Sequence, residues 1–193
     1  GGGSGGGSGG GDDAGSGGED DSGSDAHLFS DLTPDNPYFA AITDLAGKGI
    51  ITGFSDGTFR PEDNVTRQQF AKMIVRTLEL PVTGDEQCTF TDVVAQTGTD
   101  PFYPAKYVAA CAAAGITTGK TETAFAPKES ITRQQLITMV ARASELAPPA
   151  TSYHAAFLAA QFSLEEHYSN ACKAAYVGLL DGLVGVGVGY DFK

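Results

Sequence analysis

The sequence predicts a mainly α protein built from tandem helix-loop-helix repeats. Two observations carry that prediction. Val65-Thr66-Arg67-Gln68-Gln69-Phe70 returns as Ile131-Thr132-Arg133-Gln134-Gln135-Leu136, an internal period of about 66 residues. Upstream of each copy, Phe29-Ser30-Asp31-Leu32 corresponds to Phe90-Thr91-Asp92-Val93, and residues 41–53 correspond to 107–119. The expected organisation is a linker over residues 1–27, repeat one over 28–81, repeat two over 88–147 and a partial repeat three over 160–193.

Apart from Ala14, Ala26 and His27, residues 1–27 are Gly, Ser, Asp and Glu, so nothing there offsets the entropy of ordering. A flexible, disordered tether to an upstream domain is expected. In the first helix of repeat one, Ile42, Leu45 and Ala46 follow the spacing that lines one helix face. Gly49 and Gly115 stand where a helix end favours positive φ, and each precedes an Ile that folds back onto the helix. The loop Gly53-Phe54-Ser55-Asp56-Gly57-Thr58-Phe59-Arg60-Pro61 carries a strong Asp-Gly turn, a Phe to anchor it and a Pro that delays the next helix. Repeat two keeps the Gly, Phe and Pro at Gly119, Phe125 and Pro127.

The second helices start on Thr66 and Thr132. Each pairs with a Gln three residues on, a capping box, with Val65 against Phe70 and Ile131 against Leu136 as a hydrophobic staple. Their expected apolar stripes are Phe70, Met73, Ile74, Thr77 and Leu78, and then Leu136, Met139, Val140 and Ala143. The third copy begins at Phe162, passes through Ala174 and Gly178, and stops at Lys193 before a Thr-Arg helix of its own. Its apolar neighbours are therefore expected to stay uncovered, with self-association as one outcome.

The net charge of −12 is misleading, because Asp12, Asp13, Glu19, Asp20, Asp21 and Asp25 all lie in the linker. There is no basic stripe with interleaved aromatics, so nucleic acid is not the expected partner. Residues 174–190 are interrupted by Asp181 and rich in Gly, which argues against membrane insertion. Cys88 and Cys111 could form a disulfide or remain thiols, and the sequence leaves both open. No nucleophile elbow, paired-His spacing or calcium loop occurs, so neither an enzyme nor a metal or cofactor is expected.

Arg67 and Arg133 are the residues that folding alone does not explain. Each occupies the first helical position, where the macrodipole disfavours a cation by roughly 0.3–1 kcal/mol. A bound anion would reverse that sign. A carboxylate such as Asp31, Asp63 or Glu129 would do so as well, by pairing with the Arg and locking units together. The residues by themselves leave both readings open.

Together, the Phe29-Ser30-Asp31-Leu32 run, Gly49-Ile50-Ile51-Thr52-Gly53, Gly57-Thr58-Phe59-Arg60-Pro61 and Val65-Thr66-Arg67-Gln68-Gln69-Phe70-Ala71 resemble the S-layer homology domain. The resemblance runs from Leu28 to the C-terminus and weakens through the three repeats. It implies a pseudo-threefold spindle whose inter-repeat grooves bind secondary cell-wall polysaccharide of bacterial envelopes, commonly carrying a pyruvyl ketal and hence a carboxylate. The family's Thr-Arg-Ala-Glu motif falls on Thr66-Arg67 and Thr132-Arg133, with Gln68-Gln69 and Gln134-Gln135 in place of its Ala-Glu. Repeat three has Leu164 in place of the Asp. The expected ligand-binding set is Arg67, Arg133, Thr66, Thr132, Asp31 and Asp92, in a secreted protein at the cell surface or wall. A protein-interaction or assembly module using the same grooves is the alternative.

Overall fold

The computed structural model describes residues 28–95, 98–183 and 185–193. The expected linker, residues 1–27, lies outside the described residues. Five α-helices follow in order: α1 (Phe39–Gly47), α2 (Arg67–Thr77), α3 (Ala105–Ala113), α4 (Arg133–Ala143) and α5 (Glu165–Tyr176). A short 3-10 turn, Ala159–Gln161, precedes α5. Among the described residues there is no strand; an isolated antiparallel bridge joins Thr66 to Ser130. No described helix is long and apolar enough to cross a membrane.

The first helix of each repeat stops in the same way. Gly49 donates to Ala46 O and Ile50 to Leu45 O, each at 2.9 Å, and Gly115–Ala112 with Ile116–Cys111 repeats the pattern at 3.0 and 2.9 Å. In repeat three Gly178 donates to Ala175 O at 3.1 Å and Leu179 to Ala174 O at 2.9 Å. The glycines sit at φ +69, +69 and +79°, the left-handed turn that this paired-bond motif requires. The faintest copy thus preserves the helix stop of the strongest.

An aromatic pair marks each unit as well. Phe29 meets Phe59 at 5.4 Å, Phe90 meets Phe125 at 5.6 Å and Phe162 stacks on Phe192 at 4.4 Å between ring centroids. In the first two units the following Asp holds the loop. Asp31 accepts from the amides of Phe59 and Arg60, both at 2.7 Å, and Asp92 from Phe125 and Ala126 at 2.9 and 2.7 Å. Repeat three, with Leu164 in that place, uses Gln161 instead. Its Nε2 donates to Gly187 O and Tyr190 O, each at 2.9 Å.

Packing runs between repeats rather than within them. The second helix of one unit lies on the first helix of the next, α2 on α3 and α4 on α5, whereas α1 touches no other helix among the described residues. One core gathers Phe70, Ala71, Ile74 and Val75 of α2 with Val108, Cys111, Ile116 and Phe125 of repeat two. A second joins Ile137 of α4 to Phe157, Phe162, Ala171, Ala174 and Phe192. This arrangement corrects the expected stripes. The buried residues of α2 are Arg67, Gln68, Phe70, Ala71, Ile74 and Val75, while Leu78 stays exposed. In α4 they are Gln134, Ile137, Thr138, Met139 and Ala141. The expected stripes assume packing within one repeat, whereas α2 turns its buried face to α3 and α4 to α5. All three cysteines are free thiols, and Cys111 lies buried with its Sγ 3.5 Å from Ala71 O across the α2–α3 contact.

Candidate functional site: an inter-repeat groove entered by Arg67

The start of α2 is plugged into repeat two. Thr66 caps the helix: Gln69 N reaches its Oγ1 at 3.4 Å, and its own N–H donates to Gln69 Oε1 at 2.8 Å. The next two amides are taken by the facing loop, Arg67 N–H by Glu129 O at 2.9 Å and Gln68 N–H by Pro127 O at 3.0 Å. Those donors are the ones a helix start would otherwise offer an anion. They are spent on protein carbonyls, so attraction for a ligand falls to the side chain.

Arg67 is only 4% exposed. Its Nε donates to Phe125 O at 2.7 Å, and its guanidinium carbon lies 4.6 Å from the centroid of the Phe125 ring. Its two terminal nitrogens make no hydrogen bond among the described residues. Burial works against the charge, while Glu129 and Asp92 support it. At Asp92 burial opposes ionisation, but the amides of Phe125 and Ala126 and the Arg67 charge outweigh it and hold the carboxyl below its usual range.

Arg67 thereby becomes part of the wall of a cavity of about 470 Å³ between repeats two and three. The turn at Thr117–Thr118 and Lys120 forms one side, Thr138 and Arg142 of α4 a second, and Glu166 and His167 of α5 a third. Two of its cations already have partners. Lys120 bonds to Glu129 at 2.5 Å, and Arg142 bonds to Glu166. Arg142 also donates to Ile116 O at 3.2 Å, fastening α4 to the turn of its own repeat.

A second cavity, about 380 Å³, occupies the corresponding place in repeat one. Gln69, Lys72, Met73 and Arg76 line it where Gln135, Thr138, Met139 and Arg142 line the first. It is more apolar, with Phe54 and Tyr103 in its wall, and its cations are engaged: Arg60 with Asp56 at 2.7 Å, Lys72 with Asp100 at 2.6 Å, Arg76 with Gly49 O at 2.6 Å. No Arg from the start of another repeat's second helix lines it.

The six expected residues do not form one site. Arg67, Thr66 and Asp92 meet at the junction of repeats one and two. Arg133 meets the C-terminal segment, where it donates to Asp191 O at 3.1 Å with its side chain 59% exposed, 5.6 Å from the Tyr190 ring centroid. Thr132 Oγ1 is buried without a partner among the described residues, although Gln135 Oε1 accepts from Thr132 N at 3.2 Å. Asp31 and Asp92 each spend their carboxylate on loop amides. Lys120, Arg142 and His167 escaped the sequence reading; for Arg142 a signal existed, since Arg76 and Arg142 occupy the same place in the repeat.

Residues 28–71 and 96–137 match the S-layer homology domain family. An endoglucanase of Bacillus sp. (strain KSM-635) is 40% identical over 122 residues, 63% of this chain and 12% of that protein. The S-layer protein EA1 of Bacillus anthracis is 32% identical over 106 residues, covering 55% of this chain and 12% of its own length. The outer membrane protein SlpA of Thermus thermophilus is 49% identical over 51 residues, 26% of this chain and 6% of that protein. The chain therefore spans only a small part of each relative.

Proposed function

The chain belongs to the S-layer homology family, and we propose that it is a non-covalent cell-wall anchoring module that holds an anionic, pyruvylated secondary cell-wall polysaccharide in the groove entered by Arg67. It acts at the bacterial cell surface or cell wall, as a non-catalytic module. The observation that supports the ligand class is a buried guanidinium with one nitrogen anchored and its outer two nitrogens unbonded on a groove wall. A guanidinium so fixed matches a carboxylate with two parallel N–H···O bonds. Stacking on Phe125 orients the fork before the ligand arrives, which reduces the ordering cost of binding. Thr117, Thr118 and Thr121 on the turn supply hydroxyls suited to sugar hydroxyls.

Sedimentation with purified wall polymer, before and after removal of its pyruvyl groups, tests this function. Retention that falls when the ketals are removed supports it. Equal retention on both polymers contradicts the carboxylate reading.

A further inference from the structure

We propose that His167 is a specificity-determining residue of this groove, taking up a proton when an anion binds and so tightening the groove on anions under mildly acidic conditions. The inference rests on the groove reading above and deepens it.

His167 lies in the first turn of α5 and is 9% exposed, yet it forms part of the groove wall. Its Nδ1 is 2.7 Å from Thr138 Oγ1, a buried contact between α5 and α4. Nε2 has no hydrogen-bond partner among the described residues. When Thr138 donates to Nδ1, a neutral ring presents N–H at Nε2; a protonated ring presents N–H at both nitrogens and a full charge.

The surrounding charges decide when that proton is taken. Arg67 approaches from the start of α2, Arg142 from α4 and Glu166 from α5, while Lys120 lies on the repeat-two turn. Arg142 is matched by Glu166 and Lys120 by Glu129, while Arg67, with Glu129 and Asp92 only in its vicinity, forms no ion pair among the described residues. Burial holds the ring below its ordinary value of 6.5; Glu166 works against that, and Arg142 and Arg67 add to it. An anion on Arg67 removes part of the repulsion, so protonation of His167 becomes easier. By linkage, the same coupling makes the anion bind more tightly once the ring is protonated. The cavity of repeat one has Lys72 in the place of Thr138 and, among the described residues, no histidine in its wall, so the proposed proton coupling belongs to the groove of repeats two and three.

The test uses the full chain and a methyl glycoside carrying a pyruvyl ketal, with its methyl ester as the uncharged control. Affinity for the acid is expected to rise about tenfold between pH 7.5 and 5.5, as for one coupled proton. The ester should show no such rise, and His167→Gln should abolish it. In the parent chain, the His167 ring signals followed by NMR should titrate at higher pH with the acid bound, a readout that does not depend on the variant folding. Binding that requires Arg67 but is flat with pH, or that keeps its slope in His167→Gln, overturns the role of His167 and leaves the groove reading intact. Absence of binding at every pH overturns both.

Discussion

The guanidinium of Arg67 lies 4.6 Å from the ring centroid of Phe125 while its Nε bonds to the carbonyl of that same residue. One residue of repeat two thus holds both the face and the inner edge of a side chain from repeat one. The contact is structural, and under the proposed function it also sets the binding fork. It fastens the repeats, and it leaves the outer edge of the guanidinium at the groove.

Asp92 is the post behind that contact. Asp92→Ala removes the acceptor for the Phe125 and Ala126 amides and should cost about 1–2 kcal/mol, the loss of two charge-assisted bonds in a partly solvated site. Its carboxyl titrates below the usual range. Its contribution is therefore complete above the unfolded value and is lost as pH falls through the folded one. Urea midpoints from pH 6 down to 2.5 check this: the parent should lose stability more steeply than Asp92→Ala over the acid limb.

The two helix caps should respond differently to the same substitution. Thr66 completes its capping box, so Thr66→Ala should cost roughly 0.5–2 kcal/mol. At Thr132 the buried Oγ1 lacks a partner among the described residues, and removing it should cost well under that amount. Denaturant midpoints for the two variants provide the comparison, and equal losses would contradict it.

Both second helices end on a glutamate in the left-handed region, Glu79 at φ 51° and Glu145 at φ 49°. Each closes a paired-bond helix stop in the position usually held by glycine, with Leu80 N bonded to Val75 O and Leu146 N to Ala141 O. Glu79→Gly and Glu145→Gly should each stabilise the fold, by about 0.5–1 kcal/mol. Thermal unfolding of the single and double variants measures the gain.

Much of the fold was legible because the signals were local and repeated. Thr66 with Gln69, the Gly49-Ile50 and Gly115-Ile116 stops and the Phe-containing loops each require only neighbouring residues. What escaped was relational. The buried faces of α2 and α4 depend on which unit each helix covers, and sequence spacing alone points to the helix's own repeat. For Asp31 and Asp92 the sequence does not show that their carboxylates hold loop amides, because those amides belong to residues about 30 positions away. His167 belongs to no sequence motif, and its contact with Thr138, 29 residues away, exists only in the fold. Gln161, which holds the loop of repeat three, gave no signal because it lies outside the motif it replaces.

The central claim is that Arg67 carries the groove's affinity for an anionic wall polymer. Sedimentation of Arg67→Ala and Arg133→Ala with purified pyruvylated wall polymer tests it most directly, alongside thermal unfolding of each. Arg67→Ala should weaken binding by about tenfold to a hundredfold, the value of one or more charge-assisted hydrogen bonds. Arg133→Ala should have a smaller effect, because its exposed side chain lines neither cavity. Folded Arg67→Ala that binds the polymer as tightly as the parent would contradict the account.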